Sequence, residues 1–473
     1  ITMKEIISIK NIGISVFGGL FIAGILKLGV VFGIVVMICL FLLIPGILKN
    51  IQKEKMEYKR FTDACVYLEQ MEGAYRQRGK IYQSLKDTEK LFKDGDMKDT
   101  LQRALREIEI EYTKPDASKR ALDIISEEYG CEQMELFHDF LIRNETRGGD
   151  YEKSIQILEK RRNAWISITE QCRSEKKNMM VSVILSMITL FFTPEILLFF
   201  LPKEMNIMTQ MAERGLVVLN FVLIFLLFRR VMKKNAVNWL TEVEERDEKE
   251  ILKDYEYIKN YDEHKEIVSS IKWAVIPMCI TVVCYAFTRS LVCFAIGIPI
   301  TVLMLNQHKL EYSQRKKQIE KEVERDYPKW LFEITLLMET ESVQGAIYKS
   351  MENAPKILQY PLKEFSETLQ MKPADPDAYF EFLEIYDLPK VHESMKILYS
   401  ISKGLGGKQE EQILQIIDKN NEMTIQSEKI KNNNKIAGIM VYMLYPVIPS
   451  GIKMMADLGL ILLTAYGNIG TGL

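Results

Sequence analysis

The segment GLGGKQ at 404–409 has the residue types of a phosphate-binding loop. Such a loop needs glycines at fixed spacing, then Gly-Lys and a Ser or Thr, after a strand, so that backbone amides surround the phosphate. Here Ser402 occupies the first glycine position, Gln409 follows the lysine, and no strand pattern precedes them. The segment is therefore not predicted to bind a nucleotide.

Residues that could hold a metal ion or act as nucleophiles are scattered along the chain. The seven cysteines are an odd number without CxxC spacing, and the four histidines stand alone. Neither a G-x-S-x-G elbow nor an H-E-x-x-H pattern occurs. We therefore predict free thiols in a reducing or lipid environment, no metal or cofactor, and no enzymatic activity. A net charge of −2 gives no reason to predict nucleic-acid binding.

Glu195, beside Pro194, is the one acid close to the interior of an apolar stretch. An intramembrane carboxylate is a functional candidate because burying its charge is costly. Alternatively, the helix ends at Thr193 and Glu195 lies at the outer membrane interface. We expect the second arrangement, because Pro446 and Pro449 follow similarly soon after the boundary of a later apolar stretch.

Four apolar stretches dominate the chain, at 11–48, 179–228, 273–305 and 436–466. The first holds a single charge, Lys27, and is nearly twice the ~20 residues that one helix needs to cross a bilayer. Each stretch is sized for a pair of crossings. This predicts an all-α membrane protein with eight membrane helices in four hairpins.

Details of the first and last stretches leave alternatives open. Lys27 lies where the first hairpin would turn, and Gly29 and Gly33 either permit close helix contact or reflect ordinary membrane-helix composition. A signal peptide is the alternative for the first half, but it lacks an A-x-A-like site. Lys453 and Asp457 weaken the final helix. If that helix lies at the membrane interface, seven crossings remain.

Lysine and arginine flank the membrane ends of two long charged segments, 49–178 and 308–435, and are few in the short connections within each hairpin. Cytoplasmic loops carry the excess of basic residues in membrane proteins. Both segments and the N-terminus are therefore predicted to be cytoplasmic, in a multi-pass protein of the cell membrane.

The two charged segments match each other in order, and internal repeats decide the architecture of a chain. The matches are KIYQSL (80–85) with AIYKSM (346–351), PDASKRALDI (115–124) with PDAYFEFLEI (376–385), and Gly148 and Gly149 with Gly406 and Gly407. The apolar stretches beside the segments repeat with them. The sequence therefore predicts two tandem units.

Each charged segment has apolar residues at helical spacing and no alternating strand pattern of useful length. Asp116 after Pro115, and Asp377 after Pro376, are predicted helix starts. The glycine pairs are predicted stops between consecutive helices, as tight turns rather than ligand-binding loops. Five or six short antiparallel helices per segment would form a helical bundle.

Residues 234–270 join the two units. Thr241 and Glu244 offer a capping box to a helix with Tyr255, Ile258 and Tyr261 on or near one face, which predicts a tether or a lateral helix. The predicted order is a membrane hairpin (1–48), a cytoplasmic domain (49–178), a hairpin (179–233), the linker (234–270), a hairpin (271–307), a cytoplasmic domain (308–435) and a C-terminal helix or hairpin (436–473).

The segments beginning GGDYEKSIQIL and GGKQEEQILQII each lie about 30 residues before an apolar, proline-marked stretch. In this feature the chain resembles the type II secretion system F-domain family. With two such domains it resembles the inner-membrane platform proteins of type IV pilus-like machines, and most of all the two tight-adherence (Tad) pilus platform proteins joined end to end. Some relatives carry an acidic residue before the glycine that is associated with a metal. Glu145 could match it, but Lys403 stands in the second copy, so no metal is expected.

The resemblance implies a non-enzymatic platform that couples a hexameric secretion ATPase to pilin extraction and filament assembly, with self-association or further platform components. The candidate packing and transmission residues are Gly148, Gly149, Gly406, Gly407, Pro115, Asp116, Pro376, Asp377 and Glu195. The alternative is a permease subunit that uses an external ATPase, which would need polar or broken helices along a path through the membrane.

Overall fold

The structure is a computed structural model. It describes residues 9–110, 116–147, 152–200, 202, 207–208, 210–240, 246–288, 292–338, 341–372, 375–405 and 409–470. These residues form helices, turns and short 3-10 segments, without a strand. The chain divides into two compact units, Ile1–Glu242 with Asn432–Leu473, and Val243–Lys431.

The first unit contains two helices of unusual length, and shorter helices lie between them along the chain. Its helices are α1 (Ile9–Ile25), α2 (Gly29–Arg78), α3 (Ile81–Glu89), α4 (Asp96–Ile110), α5 (Ala117–Tyr129), α6 (Glu132–Arg147), α7 (Glu152–Phe199), α8 (Met211–Asn235) and the C-terminal α18 (Val447–Gly470).

The second unit consists mostly of shorter helices. They are α9 (Glu248–Lys259), α10 (Glu263–Thr288), α11 (Val292–Leu305), α12 (Gln307–Leu337), α13 (Val343–Ser350), α14 (Lys356–Met371), α15 (Asp377–Phe380), a 3-10 turn (Glu384–Tyr386), α16 (Pro389–Ser402) and α17 (Gln409–Ile436), whose last residues belong to the first unit.

The hairpin between α1 and α2 turns at Lys27, as the sequence predicts. Lys27 has φ 49° and Gly29 has φ 76°, both in the left-handed region that reverses a chain tightly. A Cβ built on Gly33 would lie 3.1 Å from the Cβ of Ala23, so the absence of a side chain lets α1 and α2 pack closely.

Helices α2 and α7 pass without interruption from apolar to polar sequence. α2 has 50 residues and α7 has 48, and each changes between an apolar and a charged composition near its middle. Pro45 in α2 and Pro194 in α7 lie inside these helices. The predicted helix end at Thr193 is therefore wrong, because α7 continues through Pro194 to Phe199.

Helices α3, α5 and α6 pack against the polar half of α2, α6 also contacts α7, and α4 packs on α3 and α5. They are amphipathic: α4, for example, buries Met97, Leu101 and Ile108 at helical spacing. Where α2 meets α7, the rings of Phe61 and Trp165 are 5.1 Å apart and edge to face, and both side chains are buried. This apolar core holds the polar parts of the two long helices together.

The core of the second unit surrounds Trp330 on α12, and α9 is part of it. Tyr255 and Ile258 of α9 are buried in the same apolar cluster as Trp330, and the Tyr255 hydroxyl donates to the carbonyl oxygen of Ile357 at 2.9 Å. Of the two predicted roles, a free-standing tether disagrees with this packing, whereas a lateral helix is compatible with it. The proposed capping residues Thr241 and Glu244 lie outside the described residues.

Helices α10 and α11 form a hairpin that depends on one glycine. A Cβ on Gly297 would lie 1.9 Å from Oγ1 of Thr281, which is shorter than any real contact. Only glycine therefore allows α11 to approach α10 this closely.

The last apolar stretch differs from its prediction. Residues 440–443 form a 3-10 turn, and the apolar sequence after it forms the single helix α18. Of the two predicted arrangements, a C-terminal helix or a hairpin, the structure has the single helix, and it includes Lys453 and Asp457, the residues expected to weaken it. In the described chain, five helical runs are long and apolar enough to cross a membrane: Gly29–Arg78, Ile155–Phe199, Met211–Asn235, Glu263–Val283 and Glu411–Tyr466.

The matching segments PDASKRALDI and PDAYFEFLEI fold differently. The first lies mainly in α5, a regular helix of 13 residues. The second contains the four-residue α15, then Leu383 at φ 58°, the 3-10 turn, and Asp387 at φ 46°. A bulky residue such as Leu in the left-handed region is uncommon and costs free energy.

Candidate functional site

A junction of polar contacts joins α2, α7 and α8 where their apolar and charged parts meet. Its central residue is Lys176 of α7, whose side chain is buried. The Lys176 ammonium donates to the carbonyl oxygen of Asn235 at the end of α8 (2.8 Å) and lies 3.5 Å from Oε1 of Glu54 on α2. It also lies 5.6 Å from the ring centroid of Trp239. The Lys176 side chain therefore links α7 to α2 and α8 at the boundary between their apolar and charged parts.

Further polar contacts connect α2 and α7 away from the apolar halves. The Tyr58 hydroxyl donates to Oε1 of Glu170 at 3.2 Å, and the Arg173 guanidinium lies 3.4 Å from the Tyr58 ring centroid. Farther along, Arg162 of α7 donates to the Glu72 carboxylate of α2, and both side chains are buried. Burial raises the pKa of Glu72 to about 7, although Arg162 opposes that shift. Removing one partner of such a pair leaves a buried uncompensated charge.

A second set of buried charges lies among the apolar helices of the first unit. The Lys453 ammonium of α18 is 2.9 Å from Oε1 of Glu195 on α7, 3.2 Å from Oε1 of Glu213 on α8, and 2.7 Å from Oδ2 of Asp457. All four side chains are at most 8% exposed. We call these four residues the charge cluster. It contains three carboxylates for one cation.

Apolar surface flanks the charge cluster on α18, whereas Glu195 lies about one turn before the end of α7 and Glu213 lies in the first turn of α8. On α18 the exposed residues Ile448 and Ile452 precede it, and Leu458 and Leu462 follow it. Glu195 is buried and paired within the last turns of α7, and does not follow a helix end at Thr193 as expected. Lys453 and Asp457, which were expected to weaken α18 as a membrane helix, are compensated by each other and by partners on α7 and α8.

Polar side chains continue along the same faces of the helices. On α18, Ser450 lies one turn before Lys453, and its hydroxyl has no hydrogen-bond partner among the described residues. On α8, Asn220 lies two turns after Glu213 on the same face, is buried, and is likewise without a partner for its amide within the described chain. Buried polar atoms normally have partners, so these groups are candidates for water or a small polar ligand.

The sequence singled out a set of candidate residues. Those that the structure describes do not lie together in one site. Asp116 precedes α5, where its carbonyl oxygen accepts from the Arg120 amide (3.0 Å), and Asp377 begins α15, so both predicted helix starts are confirmed. Pro376 directly precedes α15. Neither aspartate side chain caps its helix.

The glycine pairs Gly148 with Gly149 and Gly406 with Gly407, and also Pro115, lie outside the described residues. The described turn after α16 uses Gly404, at φ 64°, where the Leu405 amide donates to the carbonyl oxygen of Ser400 at 2.9 Å. Glu145, the possible metal-associated acid, instead accepts the backbone N–H of Ile81 at the start of α3 (3.2 Å). Among the described residues no group of three or more His, Cys, Asp or Glu could hold a metal ion.

Sequence reasoning missed Lys176, Glu213 and the partnership of Lys453 with Glu195. Basic residues commonly flank membrane helices, so nothing in the sequence distinguished Lys176 from the other basic residues beside the apolar stretches. Glu213 lies at the first turn of α8, where an acid is expected on helix-dipole grounds. No family model, curated protein or solved structure matches the chain.

Proposed function

We propose that the chain is an inner-membrane platform protein of a type IV pilus-like (Tad) or type II secretion machine. In this role it couples a cytoplasmic hexameric ATPase to the extraction of pilin subunits and their assembly into a filament. One observation supports the proposal most directly. Helices α2 and α7 each run without a break from the polar domain into the apolar zone, and polar contacts of Lys176 connect them at the junction.

This construction suits the transmission of movement. A helix rises about 1.5 Å per residue, so α2 and α7 are each rods of roughly 70 Å. Because Lys176, Tyr58 and Arg162 tie the rods together, a displacement of the polar ends would move the apolar ends as a pair. Such a device needs no catalytic centre of its own.

The order of helices supports the proposed duplication. In 49–178 the long α2 is followed by helices of 9, 15, 13 and 16 residues and then by α7. In 308–435, α12 is followed by helices of 8 and 16 residues, the broken segment at 377–386, a helix of 14 residues and then α17. A tandem F-domain arrangement would produce this order.

The decisive experiment interrupts α2 between its two halves. Lys53 is exposed and lies just beyond the apolar part, one residue before Glu54 of the junction. Proline there removes a helical hydrogen bond and clashes with the preceding turn, whereas alanine preserves the helix. We expect Lys53→Pro to abolish filament assembly and Lys53→Ala to leave it intact, with both variants still inserted in the membrane and still co-purifying with the ATPase.

Two results would refute the proposal at different levels. Normal filaments in a strain without this protein would exclude a platform role. Normal filaments with Lys53→Pro, in a strain that requires the protein, would exclude rod-like transmission through α2 while leaving the platform role standing.

A permease subunit is a second candidate, and the charge cluster favours it. Three carboxylates, one lysine and the unpartnered amide of Asn220 among the described apolar helices are the kind of intramembrane polar groups that line substrate or ion paths. This function predicts that Glu213→Gln impairs solute or ion flux in proteoliposomes. The platform function predicts no flux through either protein.

A further inference from the structure

The second unit has a small cavity between α9, α14 and the broken segment 377–386. Its volume is about 210 Å³. Pockets for drug-sized ligands occupy ~300–1,000 Å³, so this one suits a single side chain. We call it the tyrosine cavity. Its polar lining includes three tyrosines, three acids, one lysine and one threonine: Tyr255, Tyr360, Tyr386, Glu364, Glu381, Glu384, Lys259 and Thr368.

The tyrosine cavity exists because the backbone departs from a helix. Leu383 and Asp387 both have positive φ and bracket the 3-10 turn that carries Glu384 and Tyr386. A non-glycine residue in this region costs free energy, and such strain concentrates at functional positions. The matching stretch of the first unit is the regular helix α5, so the strained form belongs to the second unit.

Aromatic rings form one wall of the tyrosine cavity. The ring centroid of Tyr255 is 5.8 Å from that of Tyr360 and 5.7 Å from that of Tyr386, with the second pair nearly perpendicular. Tyrosine faces carry negative potential and attract cations, arginine above all.

A lysine of the chain itself, Lys259, already lies at the rim of the tyrosine cavity. The Lys259 ammonium lies 6.0 Å from the Tyr360 ring centroid and 2.5 Å from Oε1 of Glu364. Glu381 and Glu384 are exposed and have no ion pair within the described chain. After Lys259 offsets one carboxylate, two negative charges remain beside the aromatic wall.

We propose that the tyrosine cavity binds the side chain of one arginine presented by a partner protein. A planar guanidinium can stack on a tyrosine face and donate to two carboxylates at once, which a lysine ammonium does less well. Lys259 then acts as a competing internal cation at the rim. The inference does not depend on the platform function.

The test uses the full chain in nanodiscs and a fluorescent five-residue peptide with a single central arginine. The reference peptide carries citrulline, which has the same shape without the charge. We expect the arginine peptide to bind at least about fivefold more tightly than the citrulline peptide. Glu381→Gln with Glu384→Gln should erase that preference, while Glu367→Gln, an exposed acid on α14 outside the cavity, should keep it.

Replacing the internal cation gives the sharpest result. Lys259→Met should bind the arginine peptide more tightly, by about threefold, because Glu364 and Tyr360 become available. Equal binding of the two peptides, full retention by the double glutamine variant, or weaker binding by Lys259→Met would each overturn the proposal. Displacement of the peptide by choline at equal concentration would assign the cavity to a quaternary ammonium group instead, and would also overturn it.

Discussion

At the scale of single residues, the polar domain of the first unit contains a buried histidine that stays neutral. His138 of α6 is 4% exposed, with the Tyr67 hydroxyl 2.9 Å from Nε2 and the Ser126 hydroxyl 2.8 Å from Nδ1. Burial lowers the pKa of His138 to about 3. The imidazole therefore joins α2, α5 and α6 through two hydrogen bonds without carrying a charge.

This pKa predicts a loss of stability in acid. Between pH 6.5 and about 3 the unfolded chain binds a proton at His138 that the folded chain does not, so the free energy of unfolding falls as pH falls below 6.5. From pH 7 to pH 5 the loss is about 2 kcal/mol, or roughly 30-fold in amide protection. We expect His138→Gln, which keeps polar contacts but cannot titrate in this range, to lack this part of the loss.

The measurement is hydrogen–deuterium exchange in α5 and α6 at both pH values, corrected for intrinsic rates. The protection factor of the wild-type protein should fall about 30-fold more than that of the variant. Burial of Glu72 acts in the opposite direction, but it is common to both proteins and cancels in the comparison. An identical pH dependence in the two proteins would contradict the neutral, buried imidazole.

Single residues also show how far the sequence could be interpreted. Glu195 was identifiable because an acid in an apolar stretch is conspicuous on its own. Its partners Lys453 and Glu213 were not, because they lie 258 and 18 residues away in sequence and meet it only through the packing of α7, α8 and α18.

At the scale of elements, the sequence predicted those turns and helix starts that depend only on neighbouring residues. The turn at Lys27 followed from the single charge in a long apolar stretch, and the helix starts at Asp116 and Asp377 followed from the proline before each aspartate; the structure confirms all three. The helix break at Leu383 was not predictable, since FEFLEIY fits a helix as well as its counterpart does. There the packing of Phe382 and Tyr386 into the core overrides the local preference.

The left-handed residue at the end of the 3-10 turn gives a prediction for that element. Asp387 is exposed at φ 46°, where glycine is unstrained and a β-branched residue is strained most. Asp387→Val should lower the free energy of unfolding of the second unit by about 1 kcal/mol or more. Asp387→Gly should leave it nearly unchanged, because relief of strain offsets the greater freedom of the unfolded chain.

Trp330 reports on this unit, because it is fully buried in the core. Denaturant titration would follow its fluorescence in a chain whose other three tryptophans are phenylalanine. If Asp387→Gly destabilises the second unit as much as Asp387→Val does, then Asp387 contributes through its side chain rather than through its backbone conformation.

At the scale of the whole molecule, the units are not the two halves of the chain. The sequence order suggested that the last apolar stretch anchors the second charged segment. Instead Asn432–Leu473 belongs to the first unit, where α18 packs against α7 and α8. The Ser186 hydroxyl donates to the carbonyl oxygen of Met443 at 2.8 Å, and the Gln210 amide donates to the Thr464 hydroxyl at 3.0 Å. No local pattern encodes such a return of the chain.

The discontinuous first unit predicts that the protein survives division of its chain in the linker. Co-expressed as separate chains, residues 1–242 and 243–473 should co-purify, because α18 on the second piece completes the apolar core and the charge cluster of the first. Lys453→Met should reduce recovery several-fold, since it leaves three buried carboxylates without their shared cation. Met455→Leu, a change on the exposed face of α18, should leave recovery unchanged.

The matched control removes the returning segment itself. A second piece shortened to 243–431 lacks every residue of the first unit, so residues 1–242 would keep an unfilled face on α7 and α8 and should be recovered in lower amount from the membrane. Recovery of 1–242 that does not depend on 432–473 would mean that α18 is not part of the first unit. Because the linker is cut in both experiments, the difference between them measures the contribution of residues 432–473 as a whole, which include the 3-10 turn at 440–443 as well as α18.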